Sequence, residues 1–248
     1  MAKRLLGRCR LGIVLLPFLF LLLGCNKDML TYPVRIDFGI GINQQSAQQV
    51  YVSLSEAVVG VGSIGFVGLR QVGEGVYFDT QAGVEHGTYV IAAGDSAKYV
   101  TFFDIPQGVY DLMSWKLTLA EIDDDVYEDE LVDSDDYGLL VKGAYTSIGG
   151  QQRPIYFLVN PMEVFSCEAT GAAGLLPISI VDGNSYTLLL KLNPMEAIAG
   201  INRDYFENAT VSISDDGIEH IVVSSVDNTS IHQFFLFQLA KTLRATVK

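Results

Sequence analysis

Histidine, cysteine and tryptophan are scarce in this sequence, at three, three and one in 248 residues. So few His and Cys leave little for a zinc site, and three cysteines cannot build a disulfide-rich scaffold. His86, His220 and His232 are far apart, and none stands in H-E-x-x-H or a comparable pair. No serine occupies a G-x-S-x-G elbow. Paired carboxylates carry no signal in a chain with 29 acids, because such a chain always offers pairs. No catalytic residue emerges, so an enzyme is not expected. Basic residues are also few, 16 against 29 acids for a net charge of −13. That balance excludes a protein built to grip nucleic-acid phosphates. What is abundant is apolar: 49% hydrophobic residues, with 24 glycines, 12 tyrosines and 13 phenylalanines. Disorder is excluded by that content, and the length suits one domain or two small ones.

The apolar residues are unevenly spread. Lys3, Arg4, Arg8 and Arg10 precede an apolar run from Leu11 to Leu23. A helix spanning a bilayer needs about 20 apolar residues, so this run is short for a permanent anchor and fits a signal-peptide core. It ends in Leu22-Leu23-Gly24-Cys25, which resembles a bacterial lipobox. The resemblance implies a diacylglycerol thioether on Cys25, cleavage after Gly24, and acylation of the new N-terminus, palmitate being the expected chain. Residues 1–24 are then a lipoprotein signal peptide and 25–33 a lipidated tether. The expected location is the bacterial cell envelope, anchored in the outer membrane, facing the periplasm or the cell surface. Multiple acyl chains hold where one would be marginal.

Removing residues 1–24 takes four of the 16 cations and none of the acids, leaving 12 against 29 and a net of −17. Such a body should avoid anionic headgroups and project into solvent. Cys9 leaves with the signal peptide, and Cys167 remains as a lone thiol. Between a nucleophile or metal ligand and a small buried apolar residue, the latter is expected.

The body reads as short strands. Alternation marks 34–42, 99–104 and 109–122; β-type runs cover 50–69, 76–78, 139–148, 153–159, 177–181, 186–192 and 221–224. The run 50–69 is split by a bend near Glu56 or Gly60. In 109–122 the face Val109, Asp111, Met113, Trp115, Leu117, Leu119 should be core, with Tyr110, Leu112, Ser114, Lys116 and Thr118 toward water. Gly149-Gly150 and Asp182-Gly183-Asn184 are hairpin signals. Asn193-Pro194-Met195-Glu196 opens a short helix ending near Gly200, and Asp204 to Glu207 repeats the cap spacing. Asn228 caps a longer helix through Arg244, with Ile231, Phe235, Leu239 and Leu243 recurring every four residues. The expected fold is one domain, 34–248: mainly β, an antiparallel β-sandwich with short helices and a C-terminal helix.

Ten acids fall between Glu121 and Asp136. Repulsion requires them to extend into water or to bind cations. A solvated acidic hairpin loop is expected, with a loose Ca²⁺ site at Asp123, Asp125, Asp133 and Asp135 as the alternative. An EF-hand is rejected, because Tyr137 and Ala144 stand where ligands belong. Gly60-Val61-Gly62-Ser63-Ile64-Gly65 matches G-x-G-x-x-G, but Phe66 to Leu69 continues as strand where a nucleotide-binding loop would open a helix. No nucleotide is expected; these glycines mark a bend, a bulge or a close backbone approach. Asn208-Ala209-Thr210 and Asn228-Thr229-Ser230 are sequons, and Asp95-Ser96-Ala97 looks like an O-glycosylation signal.

Phe103-Asp104-Ile105-Pro106-Gln107-Gly108-Val109-Tyr110 and Asn193-Pro194 give the body the look of Bacteroidetes-type lipoproteins with β-sandwich domains. The Pro-x-Gly-x-Tyr turn resembles transthyretin- or prealbumin-like modules. The resemblance implies a lipid-anchored domain that binds or scaffolds a protein or glycan, with no active site to carry over. A pilus- or adhesin-type subunit is the second expectation, and a hydrolase with a site not visible in sequence the third.

Overall fold

The computed structural model describes residues 31–43, 51–80, 86–95, 97–174 and 176–248. The signal peptide, Cys25 and Ser96 lie outside these residues. Strands dominate: Pro33–Ile42 (β1), Val52–Arg70 (β2), Val76–Asp79 (β3), Gly87–Ala92 (β4), Lys98–Pro106 (β5), Gly108–Leu119 (β6) and Leu139–Thr146 (β7). Gln152–Val159 (β8), Val164–Gly171 (β9), Ile178–Ile180 (β10) and Tyr186–Leu192 (β11) follow. Helices Pro194–Ala199 (α1) and Arg203–Glu207 (α2) precede Ser212–Ile213 (β12) and Glu219–Val223 (β13); helix Thr229–Thr242 (α3) leads to Arg244–Val247 (β14).

All the strands join one sheet, in the order β12-β13-β8-β7-β2-β6-β9-β14-β11-β1-β5, with β10 on β6 and both β3 and β4 on β2. β2 holds the sheet together. Its first half pairs with β7 and β4, its second half with β6 and β3. The bends expected in this run are real, yet they do not break it. Register shifts fall between Leu54 and Glu56 against β7, and between Val61 and Ile64 against β6. A bulge adds local twist and re-aims a strand without ending it, so one 19-residue strand serves two limbs.

The limb from β6 to β5 curls back on itself. Phe38 of β1 lies 5.7 Å from Trp115 of β6, though β9, β14 and β11 intervene in the sheet. Phe103 of β5 stacks on Phe78 of β3 at 4.6 Å. Trp115, 1% exposed, also meets Phe66 at 4.6 Å. Offset and edge-on aromatic packing of this kind contributes beyond simple burial. The result is a half-barrel filled by rings.

The expected antiparallel sandwich is corrected to a single curled, mixed sheet. β1–β11, β8–β13 and β9–β14 are parallel pairs. Parallel neighbours need crossover connections, and the helices supply the one into β14. The Asp182-Gly183-Asn184 turn exists, with Gly183 at φ +84°, but β10 and β11 do not pair. It passes the chain from β6 to the β1 side. Gly149-Gly150 does close a hairpin, with Thr146 opposite Gln152 and Gly150 at φ +82°.

In β6, Met113, Trp115, Leu117 and Leu119 are buried as expected, but Tyr110 is buried too, at 0% exposure. Leu69 pairs with Leu112 and Arg70 with Tyr110, so Asp111 is bulged and the alternation flips below it. Tyr110 Oη donates to the Pro106 carbonyl at 2.6 Å.

Helix α1 has Pro194 at its start and Gly200 at its end. Asn193 does not cap it through its side chain; its Nδ2 donates to the Thr242 carbonyl, tying α1 to α3. The cap of α2 is Asn202, whose Oδ1 accepts from Asp204 N at 3.0 Å, two residues earlier than expected. Helix α3 stops at Thr242, and Arg244 begins a strand. Arg244 Nη1 still donates to the Lys241 and Leu243 carbonyls, both at 2.8 Å, so its charge closes the helix from outside it. Phe235 of α3 packs on Phe157 of β8 at 4.7 Å, covering the inner face of that limb.

Candidate functional site

The inner face of the β2–β7–β8–β13 limb meets the main core and the helices. Its outer face is covered by the acidic segment 120–138. Strand alternation divides the residues: Leu139 and Val141 join the main core, while Leu140 faces the other way. Val58, Leu140, Tyr156 and Leu158 form a second core with Ile122, packed by Tyr127, Leu131, Val132 and Tyr137 from the acidic segment. The expected solvated loop is therefore corrected to a packed cover. Its acids alternate with apolar anchors that turn inward, while most of the carboxylates remain outside.

Local hydrogen bonds shape the cover. Asp123 Oδ1 accepts from Asp125 N at 3.0 Å, and Asp129 Oδ1 from Leu131 N at 3.0 Å. Side-chain oxygens that accept from the backbone two residues on are the usual means of turning a chain. Ser134, 4% exposed, donates from Oγ to the Tyr127 carbonyl at 3.1 Å.

One acid of the ten points in. The Asp129 side chain is 1% exposed, and its Oδ2 accepts from Lys142 Nζ at 2.6 Å. Tyr127 Oη donates to Glu56 Oε1 at 2.7 Å and lies 3.2 Å from Asp129 Oδ2. Tyr156 also hydrogen-bonds Asp129. Burial pushes the Asp129 carboxyl up, but the bonds from Lys142, Leu131 N and Tyr156 outweigh it, and it sits below its ordinary value. Burial likewise opposes the charge on Lys142, and Asp129 more than restores it. Burial, then the neighbouring carboxylate, holds Tyr156 up at about 12. Tyr127 is raised by burial and by Glu56.

This network floors an open cleft of about 720 Å³, lined by Ser55, Glu56, Tyr127, Lys142, Arg153 and Tyr156 among others. Its two cations are each engaged by a carboxylate. Arg153 Nε bonds Glu219 Oε2 at 2.9 Å, and Lys142 bonds Asp129. The arrangement pins the acidic cover to the sheet.

The other residues singled out in the sequence are dispersed. Asp123 and Asp125 share a turn, whereas Asp133 and Asp135 lie beyond the inward-facing Leu131 and Val132. Among the described residues, no group of three or more His, Cys, Asp or Glu is arranged to hold a metal ion. Burial lowers the basicity of His86, whose amide bonds the Val61 carbonyl at 2.8 Å. His220 Nδ1 lies 3.1 Å from the Ile218 carbonyl, its ring edge-on to Tyr156. His232, 7% exposed on α3, is also lowered by burial. Cys167 pairs with Trp115 across β9 and β6, and burial pushes its thiol up to about 11, leaving little thiolate at neutral pH.

The glycine motif is the crossing point of three segments. Gly60 N donates to the Gly138 carbonyl at 2.9 Å, and Ala120 N to the Gly60 carbonyl at 3.0 Å. A Cβ on Gly60 would stand 2.2 Å from the Ala120 oxygen. A close backbone approach is thus the role of this glycine. Asn228 occupies the cap position of α3 at φ +50° but makes no side-chain cap bond. Its Oδ1 accepts from Thr210 N at 2.8 Å, and its Nδ2 donates to the Thr210 and Val222 carbonyls at 3.0 and 2.7 Å. It clamps one segment to another.

Sequence reasoning missed the Asp129–Lys142–Tyr127–Glu56 network. The available signal was Lys142 two places after Leu140 on the outward face of an otherwise apolar strand. Among the described residues no helix is long and apolar enough to cross a membrane. Compared with protein-family models, curated proteins and solved structures, the chain has no match.

Proposed function

We propose that the protein is a bacterial cell-envelope lipoprotein, held in the outer membrane through Cys25, whose β domain binds or scaffolds a partner without doing chemistry. The observation that carries this reading is the polarity of the domain. Residues 31–33 enter beside the β5–β6 turn, where Gln107 N donates to the Tyr32 carbonyl at 3.0 Å and Pro33 pairs with Pro106. The acidic cover begins at the opposite end of β6, 12 residues away, or about 35 Å along a strand. Residues 26–30 reach at most about 20 Å when extended. A lipid on Cys25 would hold the Gln107 end near the bilayer and present the acidic cover away from anionic headgroups, where repulsion favours it.

Metabolic labelling with a radioactive fatty acid tests the anchor. The wild-type chain should carry the label, and Cys25→Ala should lose it entirely; a labelled Cys25→Ala chain sinks the reading. Protease shaving of intact cells then separates surface display from a periplasmic position.

A pilus- or adhesin-type subunit is the second reading, favoured by β14. This four-residue strand lies between β9 and β11, inside the sheet. A subunit that assembles by strand exchange would receive a neighbour's strand in such a slot. A ladder of oligomers on unboiled gels supports this reading, and a single monomer band removes it.

A further inference from the structure

A groove of about 550 Å³ lies between α2 and the start of α3, away from the acidic cover. Its lining includes Asp204, Tyr205, Thr210, Asn228, Thr229 and Ser230. The chemistry here is the reverse of that in the larger cleft. Neither the Asp204 carboxylate nor the hydroxyl of Tyr205, Thr210, Thr229 or Ser230 makes a side-chain hydrogen bond among the described residues. Five residues with polar side chains therefore border one concave surface, and none of those side chains is engaged by another described residue.

The frame behind them is fixed. Asn228 grips both backbone groups of Thr210, and Asn208 Nδ2 donates to the Asp204 carbonyl at 2.7 Å. Tyr205 is 42% exposed and rests edge-on against Phe234 at 5.5 Å, so its ring is held as an open platform. Val226, 75% exposed, adds an apolar wall. No lysine or arginine lines the groove, and its one charge is the Asp204 carboxylate.

We propose that this groove binds a neutral glycan, one or two pyranose rings in size. The volume falls within the range of small-molecule sites. An aromatic ring takes the C–H face of a pyranose, and a carboxylate accepts from vicinal hydroxyls through strong charge-assisted bonds. Serine and threonine hydroxyls both donate and accept, which matches a ligand made of hydroxyls. An anionic ligand is disfavoured by Asp204 and by the lack of a cation. The proposal names the ligand class of the binding function proposed above and rests on that reading.

The test uses the full chain, ¹⁵N-labelled and purified in a detergent without a sugar headgroup. Maltose, cellobiose, lactose and chitobiose are titrated separately, with amide shifts as the readout. At least one should shift residues within 204–210 and 226–231, saturating with a Kd of about 1 mM or below. Asp204→Asn and Tyr205→Ala should each weaken that sugar about tenfold or more, and Thr229→Ala about threefold. Unchanged melting midpoints show that the variants fold, and Asp204→Asn, being isosteric, serves if Tyr205→Ala does not. The proposal is overturned if all four sugars leave these amides unmoved, if the shifts map elsewhere, or if both variants bind as the wild type does. Absent sugar binding with the Cys25 label retained removes the glycan alone. Sugar binding without the label removes the anchor alone.

Discussion

Gly60→Ala should lower stability by about 3–5 kcal/mol, a large effect for a single added methyl group. The new Cβ would lie 2.2 Å from the Ala120 oxygen and 2.7 Å from that of Glu121. Both obstacles are backbone, so no rotamer change relieves the clash. Moving the 120–121 segment away would also break the Ala120 N to Gly60 O bond and lift the start of the acidic cover. Gly65→Ala, in the same motif, is the control. Its nearest contacts are the Lys116 Cβ at 3.4 Å and Asp79 Oδ2 at 3.5 Å, ordinary packing distances. It should cost no more than about 1 kcal/mol, the usual loss for a tolerated strand substitution. Trp115 is the sole tryptophan and is buried among Phe rings, so its fluorescence during urea unfolding reads both variants. Equal unfolding midpoints for the two would refute the crossing-point role of Gly60.

Lys142→Met should cost about 3 kcal/mol at neutral pH, because it leaves Asp129 ionised, buried and without its cation. The exposures set the asymmetry. Lys142 is 35% exposed and could be rehydrated if Asp129 were lost, whereas Asp129 at 1% could not. In the wild type, the Asp129 carboxyl is depressed. Its stabilisation is present above the unfolded value of about 3.9 and is lost as pH falls through the lower folded value. Removing Lys142 leaves burial as the leading influence, which raises the folded value above the unfolded one. The sign of the pH dependence then reverses: Lys142→Met should gain stability as pH drops from 7 toward 4, while the wild type does not. Lys142→Met with Asp129→Asn should recover most of the loss, since no buried charge remains. Urea denaturation at pH 7 and 5 measures all three chains. A single variant with the wild-type pH slope would show that Asp129 is hydrated in solution.

Much of the strand set was legible, because inward and outward positions in β1, β7 and the part of β6 beyond its bulge follow a two-residue period. Pairing was not, because alternation says which face a residue takes and nothing about which strand lies beside it. The parallel partners of β1, β8 and β9 come from more than 60 residues away in each case. β14 was absorbed into the helix pattern, since Leu243 continues the four-residue rhythm of α3 before the chain turns. The acidic cover hid its packing for a related reason. Ile122, Tyr127, Leu131, Val132 and Tyr137 follow neither helical nor strand spacing, so charge dominated the reading. Within that run nothing marks Asp129 as the acid that turns inward; its partner Lys142 supplies the distinction. The groove between α2 and α3 depends on Asn228 meeting Thr210, 18 residues back, whereas the sequence pattern marked Asn228 only as a helix cap within a sequon.

The position of β14 also sets the order in which the molecule can be made. β9 and β11 are neighbours only through Arg244–Val247. Until residue 247 is in place, the β11–β1–β5 piece has no ladder to the rest of the sheet. β14 is therefore the piece that completes the ladder, and the hydrogen-bonded half-barrel closes only once it is seated.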